Sequence, residues 1–443
     1  MNASTARILG YAILAVSVLA AGGCRREGAD VSKRSTIVTR DISAGIEKHI
    51  ADKTRLGGGY FPLDFGTNHM RLKLVRVHTE YLANLGPRRH FACVDLVDTK
   101  GDVYDVDFFL SGGRGNMVVT ETTVHKMNGQ PYYAWKQKPD GGWGRVPPDK
   151  ASQELLGVKR GSDRFEFIYR AELPEITHDT RVWLPIAVSD RFQTVEVLSI
   201  HVPGVRTMIE KSGTGKILFL AIPRGETNRI IEIRYHVLRA EKSAYADATD
   251  IAQYLKPDRL VPITGEFKRT AKEVLAGKNG DLVRARALYD HVIERMRYMK
   301  YGTGWGKGDA VYACDVRTGN CTDFHAYFIA LSRAAGIPAR FAIGAAIPSE
   351  RNDGGIDGYH CWAEFHAEGK WWPVDISEAD KYSSLATYYF GHHPANRFEL
   401  SRGRDIIVSP LPASGPINFL AYPIVEMNGT VRPRVEFSFI RKR

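Results

Sequence analysis

Gly319-Asn320-Cys321-Thr322-Asp323-Phe324 leads into FHAYFIALSRAAGIPARF, residues 324–341, and the rest of the chain is ordered around this run. Asn320 suits an N-cap, because its short side chain can accept a first-turn N–H. Asp323 stands at the third helical position, where a short acid can return a bond to the cap's backbone. Phe324, Tyr327, Phe328 and Leu331 recur at helical spacing, and Gly336 with Pro338 ends the helix. The run therefore predicts a buried helix with a cysteine in its first turn. A thiol there feels the positive end of the helix macrodipole, which favours thiolate. A small buried cysteine at a helix start would fit the same letters, so the neighbouring sequence has to decide.

Downstream, Pro338–Gly344 reads as a strand, a polar loop runs through 349–358, and Tyr359-His360-Cys361-Trp362-Ala363-Glu364-Phe365-His366 reads as another strand. The turn Ala367-Glu368-Gly369-Lys370 returns it into Trp371-Trp372-Pro373-Val374-Asp375, which predicts a β-hairpin. If His366 pairs with Trp371, Asp375 comes opposite Trp362; tightening the loop by a pair-step puts it opposite His360. In both registers the imidazole and the carboxylate share one face, since side chains alternate with period two. Cys361 then points to the other face, towards packing. A carboxylate beside an imidazole fixes its tautomer and stabilises the imidazolium, which is what a cysteine nucleophile needs from its base.

Four blocks carry a resemblance: Gly319–Phe324, Arg333-Ala-Ala-Gly-Ile-Pro-Ala-Arg340, His360-Cys-Trp-Ala-Glu364 and Trp372-Pro-Val-Asp375. Together they resemble the transglutaminase-like core, a papain-like cysteine fold common in bacterial exported proteins. The resemblance covers Asp281 to Asp380 and extends more loosely to DTRVWLPIAVSDRFQTV (179–195), which is similar to the small β-domain that often precedes this core. It implies Cys321 as nucleophile, His360 as base and acid, and Asp375 as the orienting carboxylate. The Cys321 backbone N–H is the natural first oxyanion donor. Trp305 is the candidate for the second, because this fold often draws a Trp or Gln from upstream. Family members usually carry a small residue after the histidine; here it is Cys361, which leaves a redox role open. Asp323 reads as a helix-end acid and His325 as a packing or supporting histidine.

A chain of 443 residues is too long for one core, so two or three domains are expected. Hydrophobic residues at 44% and charged residues at 25% describe an ordinary globular protein. The net charge of +11 is spread out, with only short runs such as Arg25-Arg26 and Arg441-Lys442-Arg443. It suits anionic surroundings, a membrane face or an acidic polymer, and no base-reading motif points to nucleic acid. GTGWGK (302–307) is not a phosphate loop: the P-loop spacing is missing and Gly308 stands where Ser or Thr belongs.

Arg7 followed by the apolar run Ile8–Ala21 reads as a secretory signal, too short to span a bilayer with ease. Its end, Leu19-Ala20-Ala21-Gly22-Gly23-Cys24, resembles a lipobox with Ala21 in place of the usual Leu. Lipidation at Cys24 is expected, with plain secretion the alternative. The remaining cysteines, Cys93, Cys314, Cys321 and Cys361, are too few for a disulfide scaffold. A Cys314–Cys361 bridge stays open.

The expected fold class is α+β: a transglutaminase-like (papain-like) C-terminal core preceded by one or two β-sandwich-like domains. The expected divisions are a signal peptide at 1–24, a tether at 25–56 with a short helix around Ile42–Ile50, and an N-terminal β domain at 57–160. An Ig-like sandwich at 165–242 and the catalytic domain at 250–443 follow. Gly144–Gly161, with Pro147-Pro148, marks the seam between the β units. Asp102, Asp105 and Asp107 read as a solvated strand face and His392-His393 as a solvated turn. The strands near Phe419–Val425 and Val435–Ile440 should complete the catalytic sheet. The expected function is an exported, lipid-anchored thiol enzyme acting on an amide of a protein or peptide, near peptidoglycan or another anionic envelope surface. No cofactor or metal is expected. The rival readings are a metal site from Cys321, His325, His360 and Cys361, and an envelope scaffold that has kept the fold without turnover.

Overall fold

An 18-residue helix, α1 (Thr39–Leu56), opens the described part of the chain. The computed structural model describes residues 37–79, 82–86, 88–137, 143–146, 157–211, 215–300, 303–381 and 385–441. The signal segment, Cys24 and most of the expected seam lie outside these residues. Ile42, Ile46 and Ile50 form the buried stripe of α1. That stripe makes α1 part of the first β unit and not a tether with a short helix.

The unit beneath it is one antiparallel sheet of seven strands: β1 (Phe61–Phe65), β2 (Asn68–Val77), β3 (Ala83–Gly86), β4 (Arg89–Val97), β5 (Val103–Gly113), β6 (Asn116–Met127) and β7 (Gln130–Pro131). A small hairpin, β8 (Ala134–Gln137) with β9 (Trp143–Val146), follows. One face turns Phe61 and Phe108 towards His49 of α1. On the other, Cys93, Asp95, Asp105 and Asp107 share strand parity, and all four are buried. The solvated face expected for Asp105 and Asp107 is therefore wrong; only Asp102 is partly exposed. Arg286, from a helix of the C-terminal core, reaches Asp95 at 2.7 Å and seals that face.

The second β unit is a two-sheet sandwich. Its chain-ordered strands are β10 (Ser162–Glu172), β11 (Thr180–Ile186), β12 (Gln193–His201), β13 (Val205–Lys211), β14 (Gly215–Ile222) and β15 (Ile230–Ala240). Phe165, Phe167, Tyr169, Leu184, Leu220 and Tyr235 fill its interior.

The core then builds α2 (Gly265–Val274), α3 (Asp281–Arg295), β16 (Arg297–Tyr298), α4 (Ala310–Val316), β17 (Thr318–Gly319) and α5 (Cys321–Ala334). Next come β18 (Ala339–Ala346), β19 (Asp353–Ile356), β20 (His360–Ala367), β21 (Lys370–Val374), α6 (Ile376–Lys381) and β22 (Arg397–Arg402). Every residue of α5 from Cys321 to Arg333 is buried. α2, α3 and α4 pack on it from one side and the sheet β21-β20-β18-β22 from the other. A helix sealed on all sides has no polar face to spare, hence its aromatic and aliphatic run.

The final strands, β23 (Ile424–Glu426), β24 (Thr430–Val431) and β25 (Arg434–Arg441), do not join that sheet. β25 pairs with β10 and β23 with β11, so the chain's end returns to the sandwich, and β19 adds to the edge of β25. The expectation that they complete the catalytic sheet is overturned. Alternating burial in β25 fits the sandwich interior, where Phe437 and Phe439 meet Phe167 and Tyr169. Residues Val38–Arg443 form one compact unit, and among the described residues no helix is long and apolar enough to cross a membrane.

Candidate active site

The first turn of α5 is built as its letters require. Asn320 Oδ1 accepts from the Thr322 N–H at 3.0 Å, and Asp323 Oδ2 accepts from the Asn320 N–H at 3.0 Å, closing a capping box around Cys321. Gly319 is dictated by contact, for a Cβ there would lie 2.5 Å from Asp323 Cβ. Asp323 is fully buried and also accepts from Gly306 N at 2.7 Å and Gly308 N at 3.1 Å. It thus pins the glycine loop that carries Trp305. Burial raises its carboxyl to about 6 against those backbone bonds. At the far end of α5, Gly336 and Ile337 donate back to the Arg333 and Ser332 carbonyls in a Schellman motif.

The hairpin has the first of the two registers anticipated: His366 pairs with Trp371 and Ala363 with Val374. Glu368 and Gly369 turn it with φ of 52° and 73°, the two-residue turn that matches strand twist. Asp375 follows the last paired residue, and its Oδ2 lies 2.6 Å from His360 Nε2. This leaves Nδ1 free of the carboxylate, and the His360 imidazole is among the groups that lower the Cys321 thiol.

The electrostatics follow from these contacts. Burial opposes an ionised Cys321. The hydrogen bonds from the Cys361 thiol and the His360 imidazole, with the charge of His360, hold it well below an ordinary thiol. Burial also opposes a charged His360, but the Asp375 carboxylate lifts it to about 9. Asp375 is buried and still held far below the carboxylate range by His360 and His393. These shifts favour a thiolate beside an imidazolium.

Several supporting residues were misread or missed in the sequence. Cys361 does not face mere packing: its face of β20 meets α5, and its thiol lies 3.5 Å from His325 Nδ1, the nitrogen bonded to the Cys321 carbonyl. His392 and His393 are buried and not solvated. His393 lies 3.7 Å from Asp375 Oδ2 and packs on Trp362, while His392 reaches Asp102 at 3.3 Å. Arg397 stands behind the site, 3.5 Å from Glu378 and 3.9 Å from Asp375. A double histidine after YYFG carried no sequence signal that it would fold inward. His325, expected as a supporting residue, has both ring nitrogens engaged, Nδ1 with the Cys321 carbonyl at 2.7 Å and Nε2 with the Ile376 N–H at 3.0 Å. It ties the nucleophile's helix to the residue after Asp375 and has no lone pair left for a metal. Cys314 and Cys361 are both free thiols.

His360 opens onto a cleft of about 490 Å³ walled by Tyr298, Trp305, Asn320, Tyr359 and Tyr422. Lys300, Lys381, Arg397, Glu350, Asp357 and Glu378 also line it, with Lys381 2.8 Å from Glu378. On the far side, Glu364 is fixed by Lys242 at 2.8 Å, Arg340 at 2.7 Å and Tyr245 at 2.9 Å, which binds β20 to the end of the sandwich.

Three groups of candidate ligand atoms converge within 4.8 Å among the described residues: His78/Cys93/Asp105, Asp105/Asp107/His125 and His360/Asp375/His393. In the first two, the Lys126 ammonium already lies 3.2 Å from Asp105. The third is the site itself.

Residues 268–376 match the family model of the transglutaminase-like superfamily. An uncharacterized protein of Haemophilus influenzae is 28% identical in a 302-residue alignment, covering 56% of this chain and 81% of that protein. A crystal structure from Cytophaga hutchinsonii, whose name proposes a cysteine protease, is 17% identical with a TM-score of 0.45, covering 64% of this chain and 92% of that one. The periplasmic domain of TgpA from Pseudomonas aeruginosa is 18% identical with a TM-score of 0.29, covering 59% and 87%.

Proposed function

From the transglutaminase-like domain at residues 268–376 as premise, we propose that this protein is a thiol enzyme that cleaves or transfers an amide bond through a Cys321 thioester. One observation carries the reading: a helix-start thiol is lowered by an imidazole whose Nε2 is held at 2.6 Å by a buried carboxylate and which lines a cleft.

The steps follow from the positions. The Cys321 thiolate attacks the amide carbonyl carbon, and the displaced electron pair collects on oxygen. The Cys321 backbone N–H, an unclaimed first-turn donor by position, faces that charge, and Trp305 is the candidate second donor. Collapse expels the amine, which takes its proton from His360, and leaves a thioester. Water or a second amine then attacks with His360 as base, giving hydrolysis or transamidation. Asp375 keeps the ring oriented throughout.

The substrate class is a protein or peptide amide. The basic chain and the cysteine-ended signal support an envelope setting, exported and anchored through Cys24, with peptidoglycan or another anionic surface nearby.

The test is an amide-mimicking electrophile offered to the purified protein at neutral pH, alongside a panel of peptide, peptidoglycan and glutamine-donor substrates. Wild type labels at Cys321 and turns over at least one substrate class. Cys321→Ala does neither. Full labelling of that variant, or an inert wild-type thiol, would sink the proposal.

A further inference from the structure

We propose that Cys361 is a resolving cysteine: a hydroperoxide oxidises the Cys321 thiolate to a sulfenic acid, and the Cys361 thiol closes it into a Cys321–Cys361 disulfide. The inference rests on the reading of Cys321 as a reactive thiolate.

The placement is a product of the fold. Cys321 lies in the first turn of α5 and Cys361 directly follows His360 on β20, on the face that packs against that helix. Both are buried in one core cluster, and each thiol shifts the ionisation of the other. The His325 ring holds the junction, its Nδ1 3.5 Å from Cys361 Sγ and 2.7 Å from the Cys321 carbonyl. The other described cysteines are elsewhere: Cys93 sits in the first β unit against Asp105, and Cys314 on α4 near Glu266. A residue that only filled space after the histidine would need no thiol.

The two thiols are also in complementary states. Cys321 is the acidic one, so it meets the peroxide first. Burial and the neighbouring Cys321 charge keep Cys361 protonated, ready to be drawn on once that charge is gone. In the first step thiolate sulfur attacks a peroxide oxygen. The O–O bond breaks, the sulfur loses two electrons, and the alkoxide or hydroxide leaves as an alcohol or water after taking a proton. In the second step the Cys361 sulfur attacks the sulfenic sulfur, the S–O bond breaks, and hydroxide departs as water with the Cys361 proton. The product is silent, since the nucleophile is tied up. It is recoverable by a dithiol, whereas further oxidation to sulfinic acid is not.

The experiment uses the full-length chain, alkylated with iodoacetamide before and after a several-fold molar excess of hydrogen peroxide and mapped as peptides without reduction. The expected result is prompt Cys321 alkylation before oxidation. Afterwards that alkylation should fall at least tenfold, with a linked Cys321–Cys361 peptide lighter by two hydrogens, and dithiothreitol should restore it. In Cys361→Ala, the same treatment should add two oxygens to Cys321 and leave it unrecoverable. Cys361→Ser is the second variant, closer in size, and must behave the same way. Wild type gaining two oxygens at Cys321 with Cys361 free, or Cys361→Ala recovering fully, overturns the inference while the thiolate reading stands. No Cys321 alkylation before oxidation overturns the thiolate reading itself.

Discussion

Among the described residues, two places gather cysteine, histidine and aspartate, and only one of them favours an acidic thiol. In the first β unit, Cys93 touches Asp105 at 2.8 Å, with Asp95, Asp107, His78 and His125 close by. In the core, Cys321 meets His360 and Cys361, with Asp375 behind the imidazole. Burial pushes both thiols up. Around Cys93 the next contributors are carboxylates, which push further, so it stays a thiol. Around Cys321 they are hydrogen-bond donors and an imidazolium at a helix start, which outweigh burial. Residue types alone do not make a nucleophile. The order does: thiol, then imidazole, then carboxylate, with the negative group kept one shell away from sulfur.

The contrast predicts its own largest failure. Alkylation by iodoacetamide at neutral pH should fall by about a thousandfold or more when Cys321→Ala is made, since only thiolate reacts. Cys93→Ala should change that rate by less than about twofold. Equal loss in both variants would erase the distinction between the clusters.

The second prediction concerns what the first cluster does instead. Arg286 is buried and joins Asp95 at 2.7 Å and Asp290 at 2.9 Å, with His78 3.0 Å from the other Asp95 oxygen. Removing one partner of a buried pair strands the other, at a cost of about 3–5 kcal/mol. Arg286→Met should lower unfolding stability by that amount in denaturant titration, while the folded fraction keeps its Cys321 reactivity. A neutral effect on stability would show that the cluster does not hold the first β unit to the core.

The third tests the carboxylate's place. His360 is lifted to about 9 by Asp375. A group raised in the folded state lends stability that is complete below its unfolded value near 6.5 and lost as pH rises through about 9. Acylation, which needs the imidazolium to protonate the leaving amine, should fall on the same alkaline limb. Asp375→Asn should move that limb down by about one to two pH units, through the Coulombic cost of one charge pair. An unmoved limb would mean Asp375 does not set the imidazole.

How much of this was legible in the sequence depends on distance along the chain. The Cys321 cap, the Gly336 stop and the hairpin register involve residues a few positions apart, where spacing and turn chemistry govern. The approach of Asp375 to His360 follows from the same register. Resemblance supplied the link between the helix and the hairpin. The destination of β25, the inward turn of His393 and the burial of Asp105 depend on partners hundreds of residues away or on a second layer over the sheet. Strand alternation says which residues share a face, not what covers it. That is why a face of aspartates was read as solvated, and why Cys361, placed on the correct face, was not recognised as the face of the nucleophile.

The smallest expected effect probes the loop that separates the two descriptions of Trp305, as oxyanion donor or as a mere cover. Asp323 is the link, bonded to Gly306 and Gly308 on either side of Lys307. Its carboxyl sits at about 6, above its unfolded value of 3.8. Keeping it ionised therefore costs stability at neutral pH, and that cost is relieved as pH falls from about 6 towards 4. Asp323→Asn does not titrate, and one of its two acceptor oxygens becomes a donor facing a backbone N–H. A net loss of about 1–2 kcal/mol at pH 7 is expected, as for an unsatisfied buried group. The gap should widen on acidification, because only wild type gains. If Trp305 donates to the oxyanion, loosening the loop lowers turnover by about tenfold and spares Cys321 alkylation, which needs no oxyanion hole. If Trp305 only covers the core, Asp323→Asn and Trp305→Phe both lose stability without that split between alkylation and turnover.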